Sequence, residues 1–364
     1  MITLFCIRPK GFNIGNDVIF LGMQHFLQEA FGQIVNLIPL PATSRYESQS
    51  KAGLTPSVIY EINQYGHGVI VGGGNIYENG ELEVNLDALE TLEAPLMLYS
   101  LSRGRVYNCQ KKLVDRTDSM PARVASALNH KAKYSLARDN ITGAYLRSIG
   151  CEHSEVGGCP TLFLNRIAEY LPQLHEQDRG GVLISIRNPS LMNIPLQKQS
   201  QMHSNIPRII ELLRDEGFNN IRLLCHDHRD IPFAASFTGI DYIYTSDVHT
   251  YLSLLHSCTL NISYRLHSFI PCLSFGTPTI SISYDERALS LIETIGLEAW
   301  NIDMINSDDV IGQVADRCKR LKDLDKLREQ AKPAWDQIYL INATTFHNFA
   351  SDVLAYYDQA WSNR

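Results

Sequence analysis

The sequence predicts an α/β protein: two facing Rossmann-like domains with a cleft between them, and helices at the C-terminus. Three observations carry this. Short apolar runs alternate with amphipathic stretches along most of the chain, the pattern of parallel strands joined by helices. The alternation breaks near 170–181, where Pro172, several charged residues and two glycines cluster, and then restarts. The length, 364 residues, suits two domains of ordinary size. The reading is a first α/β domain over 1–172, a second over 181–335, and a C-terminal helix over 336–364 expected to pack back on the first domain.

In the first domain the apolar runs at 2–7, 34–37, 68–71, 94–99 and 134–137 read as strands. Helices are expected over 17–31, 58–65, 121–130 and 141–149. Residues 39–56, rich in Pro, Ser and Thr, read as a long loop. In the second domain, strands are expected at 181–187, 220–226, 241–244, 259–262 and 279–284. Helices are expected at 203–216, 230–237, 248–257, 266–275 and 285–295. Beyond 302, charged amphipathic stretches at 308–322 and 324–337 lead into a last helix around 343–361.

Hydrophobic residues make up 45% of the chain and charged residues 20%, ordinary values for a globular protein. A net charge of -7 gives no footprint for nucleic acid. No run of 18 apolar residues suggests a membrane span. The eight cysteines (6, 109, 151, 159, 225, 258, 272, 318) form no Cys-x-x-Cys pair, and several lie in apolar runs. They read as reduced, buried thiols of a cytosolic protein.

Candidate site residues fall after strands, at the sheet edge where open parallel sheets bind ligands. Arg265-Leu266-His267 sits at a strand-to-helix turn, with Tyr284 and Arg287 at the next strand end. A guanidinium fork holds carboxylate or phosphate, and an imidazole moves protons near neutrality. Arg138-Asp139 occupies a similar turn, as an anion holder or as a surface ion pair. Gly11 to Asp17 joins a strand to a helix; its residues bind a ligand, or Asp17 caps the helix. Gly72-Gly73-Gly74-Asn75 follows a buried strand and lets backbone amides approach a ligand, or makes a tight turn. His226-Asp227-His228 lacks further ligands in sequence, so a metal site is not expected. Cys159, in Gly157-Gly158-Cys159-Pro160, reads as a structural thiol rather than a nucleophile.

In order and spacing these motifs resemble the polysaccharide pyruvyl transferase family, over about residues 1–300. Departures are Asn16 inserted between Gly15 and Asp17, Arg287 where a lysine is common, and no matching motif beyond about 305. The resemblance implies a GT-B-like layout and pyruvyl transfer from phosphoenolpyruvate to sugar hydroxyls of a glycan or glycan precursor. A pyruvate ketal forms and phosphate is released. It implies His267, Arg265 and Arg138 as catalytic residues, with Arg265, Arg138, Tyr284 and Arg287 at the donor. Asn13, Asn16, Asp17, Gly73, Gly74 and Asn75 would meet the acceptor. No cofactor or metal is required, in keeping with the missing Asp-x-Asp pair. The expected setting is the cytoplasm, at the inner membrane face if the acceptor is lipid-linked. Acceptor identity and oligomeric state stay open. Two other readings stand: a nucleotide-sugar glycosyltransferase, which a working pair of Glu286 and Glu293 would favour, and a non-catalytic ligand-binding member of the family.

Overall fold

The computed structural model describes residues 1–46, 51–78 and 80–362. In chain order the first strands are β1 Thr3–Arg8, β2 Asn36–Pro41, β3 Gly68–Gly74, β4 Leu96–Leu101, β5 Val106–Tyr107, β6 Leu113–Val114, β7 Tyr134–Ala137 and β8 Glu155–Val156. They are followed by β9 Val182–Ile186, β10 Ile221–Cys225, β11 Tyr242–Tyr244, β12 Leu260–Ser263, β13 Thr279–Ser283 and β14 Ile302–Asp303. Two six-stranded sheets result, with orders β2-β1-β3-β4-β7-β8 and β11-β10-β9-β12-β13-β14; β5 and β6 form a small antiparallel pair. Every pairing within the two large sheets is parallel. Helices cover both faces of such sheets, which explains why β3, β4, β9 and β13 are buried along their whole length.

The two sheets are wound differently. Counting strands within each domain, the second has the order 3-2-1-4-5-6 and the first 2-1-3-4-5-6. The second is one of the two common doubly wound orders, and the first is the other, 2-1-3-4-5, with one strand added at its edge. The order reverses between β1 and β3 in the first sheet and between β9 and β12 in the second. The segments leaving β1, β9 and β12 carry the glycine loop, Arg187 and Arg265, and the glycine triplet, expected after a strand, forms the end of β3 itself. In doubly wound sheets the crevice at the reversal is where ligands sit.

Hydrogen bonds and ion pairs tie the halves together. Ile14 N donates to the His226 carbonyl at 3.1 Å, and Asn165 N donates to Ser274 Oγ at 2.8 Å. Arg105 reaches Glu286, with Nε donating to Oε1 at 2.9 Å, and Arg287 reaches Glu78 at 2.9 Å.

The chain ends in one continuous helix, Leu321–Ser362, where the sequence suggested separate stretches. It starts on the second domain, where Trp335 Nε1 donates to the Ile295 carbonyl at 2.8 Å. It finishes on the first sheet, where Phe346 stacks on Phe26 and meets Tyr99 edge-on. A proline inside a helix costs about 3 kcal/mol, and Pro333 sits inside this one. Burial of Phe346, Phe349 and Val353 offsets it, since each such side chain contributes about 1.5–3 kcal/mol. Of the loop expected over 39–56, β2 takes residues up to Pro41, a 3-10 turn takes Ser44–Tyr46, and a helix starts at Pro56. Residues 47–50 lie outside the described residues. Among the described residues, no helix is long and apolar enough to cross a membrane.

Candidate active site

A cavity of about 370 Å³ opens between the strand ends of the two sheets. Its lining includes Asn13, Asn16, Gly74, Asn75, Arg138, Arg265, His267, Tyr284 and Arg287, so most sequence-predicted residues meet on one surface.

The first wall comes from the loop after β1. The helix expected from 17 begins at Ile14, and Asn13 is its cap, its side chain accepting from Gly15 N at 3.0 Å. Asp17 is therefore not the cap. It lies in the first helical turn, bound to Arg8 Nη1 at 2.8 Å, and does not line the cavity. Gly15 has a definite reason to be glycine. A Cβ there would lie 2.9 Å from Nδ1 and 3.0 Å from Cβ of His267. The glycine loop is thus the seat of the second domain's imidazole.

Gly73 and Gly74 hold φ of +75° and +93°, which side chains disfavour. A Cβ on Gly73 would sit 2.4 Å from Ile19 Cγ2. Gly73 accordingly serves packing against the helix and is not part of the cavity lining, whereas Gly74 and Asn75 are.

Arg138 follows β7 and is only 3% exposed, yet its Nε and Nη2 have no hydrogen-bond partner among the described residues. Asp139 does not neutralise it closely: the nearest oxygen is 3.7 Å from Nε. Asp139 instead caps the next helix, accepting from Thr142 N at 2.9 Å, and also accepts from Ser290 Oγ at 3.1 Å. The surface Arg–Asp pair is excluded by this burial.

Arg265 precedes the helix Leu266–Phe275 and is 7% exposed. Its Nε donates to the Ile186 carbonyl at 3.0 Å, and its Nη2 pairs with buried Asp230. Arg287 spans Glu78 at 2.9 Å and Asp285 at 2.6 Å, and these carboxylates raise its pKa against the effect of burial.

His267 occupies the first turn of its helix and is half-buried as a residue, while its Nε2 is buried without a partner among the described residues. Burial first, then the charges of Arg138, Arg287 and Arg265, push its pKa down to about 3. This corrects the expectation of a histidine titrating near neutrality. Such a pKa keeps the imidazole neutral at ordinary pH, the form that serves as a base once bound anions offset the neighbouring positive charges.

The His226-Asp227-His228 run is divided among separate tasks. His226 Nε2 lies 2.5 Å from Tyr251 Oη, Asp227 accepts from Arg229 Nε at 2.9 Å, and His228 meets Phe12 edge-on at 4.6 Å. Cys159 is buried, which pushes its thiol pKa up and removes nucleophilic character. Glu286 is held by Arg105 and Glu293 is exposed, so the two glutamates form no pair in the cavity.

Sequence reasoning missed Arg187, Arg116, Glu78 and Glu81 in the lining. Arg187 carried the same signal as Arg138, a cation closing a strand, but it read as the strand's last residue. Glu78 is buried, which raises its pKa against the pull of Arg287 and Arg116.

The family model described as polysaccharide pyruvyl transferase matches residues 13–286. The chain belongs to that family. The amylovoran biosynthesis protein AmsJ of Erwinia amylovora is 26% identical over 133 residues, a match spanning about a third (32%) of each chain. Among solved structures, the S. aureus MnaA–UDP complex superposes with a TM-score of 0.55 at 15% identity, covering 100% of this chain and 97% of that one. The Methanocaldococcus jannaschii UDP-GlcNAc 2-epimerase, in complex with UDP-GlcNAc and UDP, gives 0.52 at 13% identity, covering 88% and 92%. At these identities the likeness concerns the fold, which is mixed α/β of the GT-B-like kind.

Proposed function

We propose that this family member transfers the pyruvyl group of phosphoenolpyruvate to two hydroxyls of a sugar in a glycan or glycan precursor. The observation that carries the reading is that Arg138, with two nitrogens lacking partners among the described residues, and His267 Nε2, likewise unpartnered among them, line the same cavity. A buried guanidinium with open donors calls for a carboxylate or phosphate. Family membership and the AmsJ relative, named for the biosynthesis of amylovoran, support a glycan acceptor.

The chemistry balances on these residues. Two hydroxyl oxygens bond to the central carbon of the donor, and the bond from that carbon to the phosphate oxygen breaks. The methylene carbon becomes a methyl group by gaining one hydroxyl proton, and the other proton leaves with phosphate. Neutral His267 accepts the proton of an acceptor hydroxyl. Arg138 holds the donor's carboxylate. Donor anions near the three guanidiniums cancel the charges that depress the His267 pKa, so His267 can carry the proton onward. Asn13, Asn16, Gly74 and Asn75 line the first-domain wall, which supports their meeting acceptor hydroxyls. Aligning both substrates in one cleft contributes further acceleration.

The test is phosphate release and appearance of a ketal methyl resonance, using phosphoenolpyruvate with a panel of glycans, on wild type and Arg138→Ala. Thermal shift completes it: a ligand at a hundred times its Kd adds about 2.7 kcal/mol. A shift with uridine diphosphate sugars alone, and no phosphate released from phosphoenolpyruvate, would make this a nucleotide-sugar enzyme instead.

A further inference from the structure

Arg187 follows β9, the central strand at the reversal point of the second sheet, and its side chain faces the same cavity. Its side chain is 15% exposed. Nη1 has no hydrogen-bond partner among the described residues, and Nη2 approaches the Leu191 carbonyl only at 3.5 Å. The nearest carboxylate oxygen, on Asp227, is 3.8 Å away, and Asp227 is already held by Arg229 with bonds of 2.9 and 3.0 Å. The other carboxylate of this wall, Asp230, is taken by Arg265 and by Asn188 N. At this end of the cavity the three guanidiniums of Arg187, Arg229 and Arg265 therefore share the two carboxylates of Asp227 and Asp230, and the surplus charge resides on Arg187. Burial and the charge of Arg265 lower its pKa to about 10, so it remains cationic at neutral pH. Elsewhere in the lining, Arg287 of the same domain is held by Asp285 and by Glu78 of the first domain, which leaves Arg138 as the first-domain guanidinium with donors unpartnered among the described residues.

We infer that Arg187 is the ligand for the phosphate end of the donor, opposite Arg138, so that the two domains each hold one anionic group of the same small molecule. Arg138 is given to the carboxylate, so the phosphate falls to Arg187, the other guanidinium of the lining with a nitrogen unpartnered among the described residues. This assignment rests on the pyruvyl-transfer reading for the identity of the donor, and on geometry alone for the phosphate site.

Titration calorimetry of inorganic phosphate against the full chain tests it. Wild type should bind, Arg187→Gln should bind at least about tenfold more weakly, the usual scale for a charge-assisted hydrogen bond, and Arg187→Lys should recover part of the loss. An unchanged melting temperature of Arg187→Gln in the absence of phosphate ensures that the loss is local. Equal phosphate affinity in wild type and Arg187→Gln overturns the assignment, as does no phosphate binding by wild type. Competition separates this from the reading it rests on. Displacement of phosphate by phosphoenolpyruvate agrees with both. Displacement by uridine diphosphate alone, with the Arg187 dependence intact, keeps the phosphate site and overturns pyruvyl transfer.

Discussion

Arg138 and Arg265 look alike in sequence, since each closes a strand and opens a helix. They are also alike in burial, at 3% and 7% exposed. Their surroundings differ. Arg265 is satisfied by the Ile186 carbonyl and by Asp230, whereas two nitrogens of Arg138 have no hydrogen-bond partner among the described residues. Burial therefore does not distinguish a cation that builds the site from one that awaits a ligand. Completeness of its hydrogen bonding does. Arg265 joins two segments of the second domain and shapes the cavity, and Arg138 offers its donors into it.

Substitutions can break this comparison, and the largest effect is expected at Arg265. Arg265→Leu strands Asp230 as an unpaired buried charge, which costs about 3–5 kcal/mol. Chemical denaturation should show that loss, and adding Asp230→Leu should restore much of it. Arg138→Leu should do the reverse. Turnover should fall by about a hundredfold or more, as when a preorganised donor is removed, while stability stays level or rises. A large stability loss in Arg138→Leu would place it in the scaffold beside Arg265.

His267→Gln should lower turnover by about a hundredfold, and it gives a second, pH-dependent readout. The folded pKa lies near 3, below the ordinary value of 6.5. The unfolded chain therefore binds a proton first as pH falls. The stability contribution of neutral His267 is present above about pH 6.5 and is lost progressively toward pH 3. Unfolding curves between those values should be flatter for His267→Gln than for wild type. Buried His226, whose pKa is also lowered, keeps some slope in both. Gly15→Ala should come next, reducing turnover by about tenfold through displacement of the imidazole, with a smaller effect on melting. Asp17→Ala should be the mildest, since a partly exposed ion pair contributes about 0–1 kcal/mol; an acceptor KM raised tenfold would return Asp17 to the binding surface.

Much of the fold was legible because alternation and strand-end punctuation are local signals. Strand positions such as 68–71 and 134–137 agree closely with β3 and β7. The strand-end rule also pointed to Arg138, Arg265, His267, Tyr284 and Arg287, all of which reach the cavity. What escaped depends on tertiary contacts. Asn13 outcompetes Asp17 for the cap because β1 ends before it and its oxygen meets Gly15 N. Gly73 reads like its neighbours until Ile19 is packed over it. The depressed pKa of His267 needs three cations that lie 129 residues or fewer from it in sequence and meet it only in the folded cleft. The single C-terminal helix was masked by its charged surface, since the residues that fix it contact both domains.

The contact between Gly15 and His267 has a consequence for how such a chain can be recombined. The imidazole is encoded in one half and its seat in the other, and the Ile14–His226 hydrogen bond repeats that division. A chimera joining the first half of one relative to the second half of another could inherit both sheets intact and still misplace the reactive ring. Residues 9–15 and 265–267 form a unit of inheritance that the domain boundary cuts through. Grafts that move these two segments together should keep chemistry while acceptor preference is exchanged, and those that separate them should fold and stay silent.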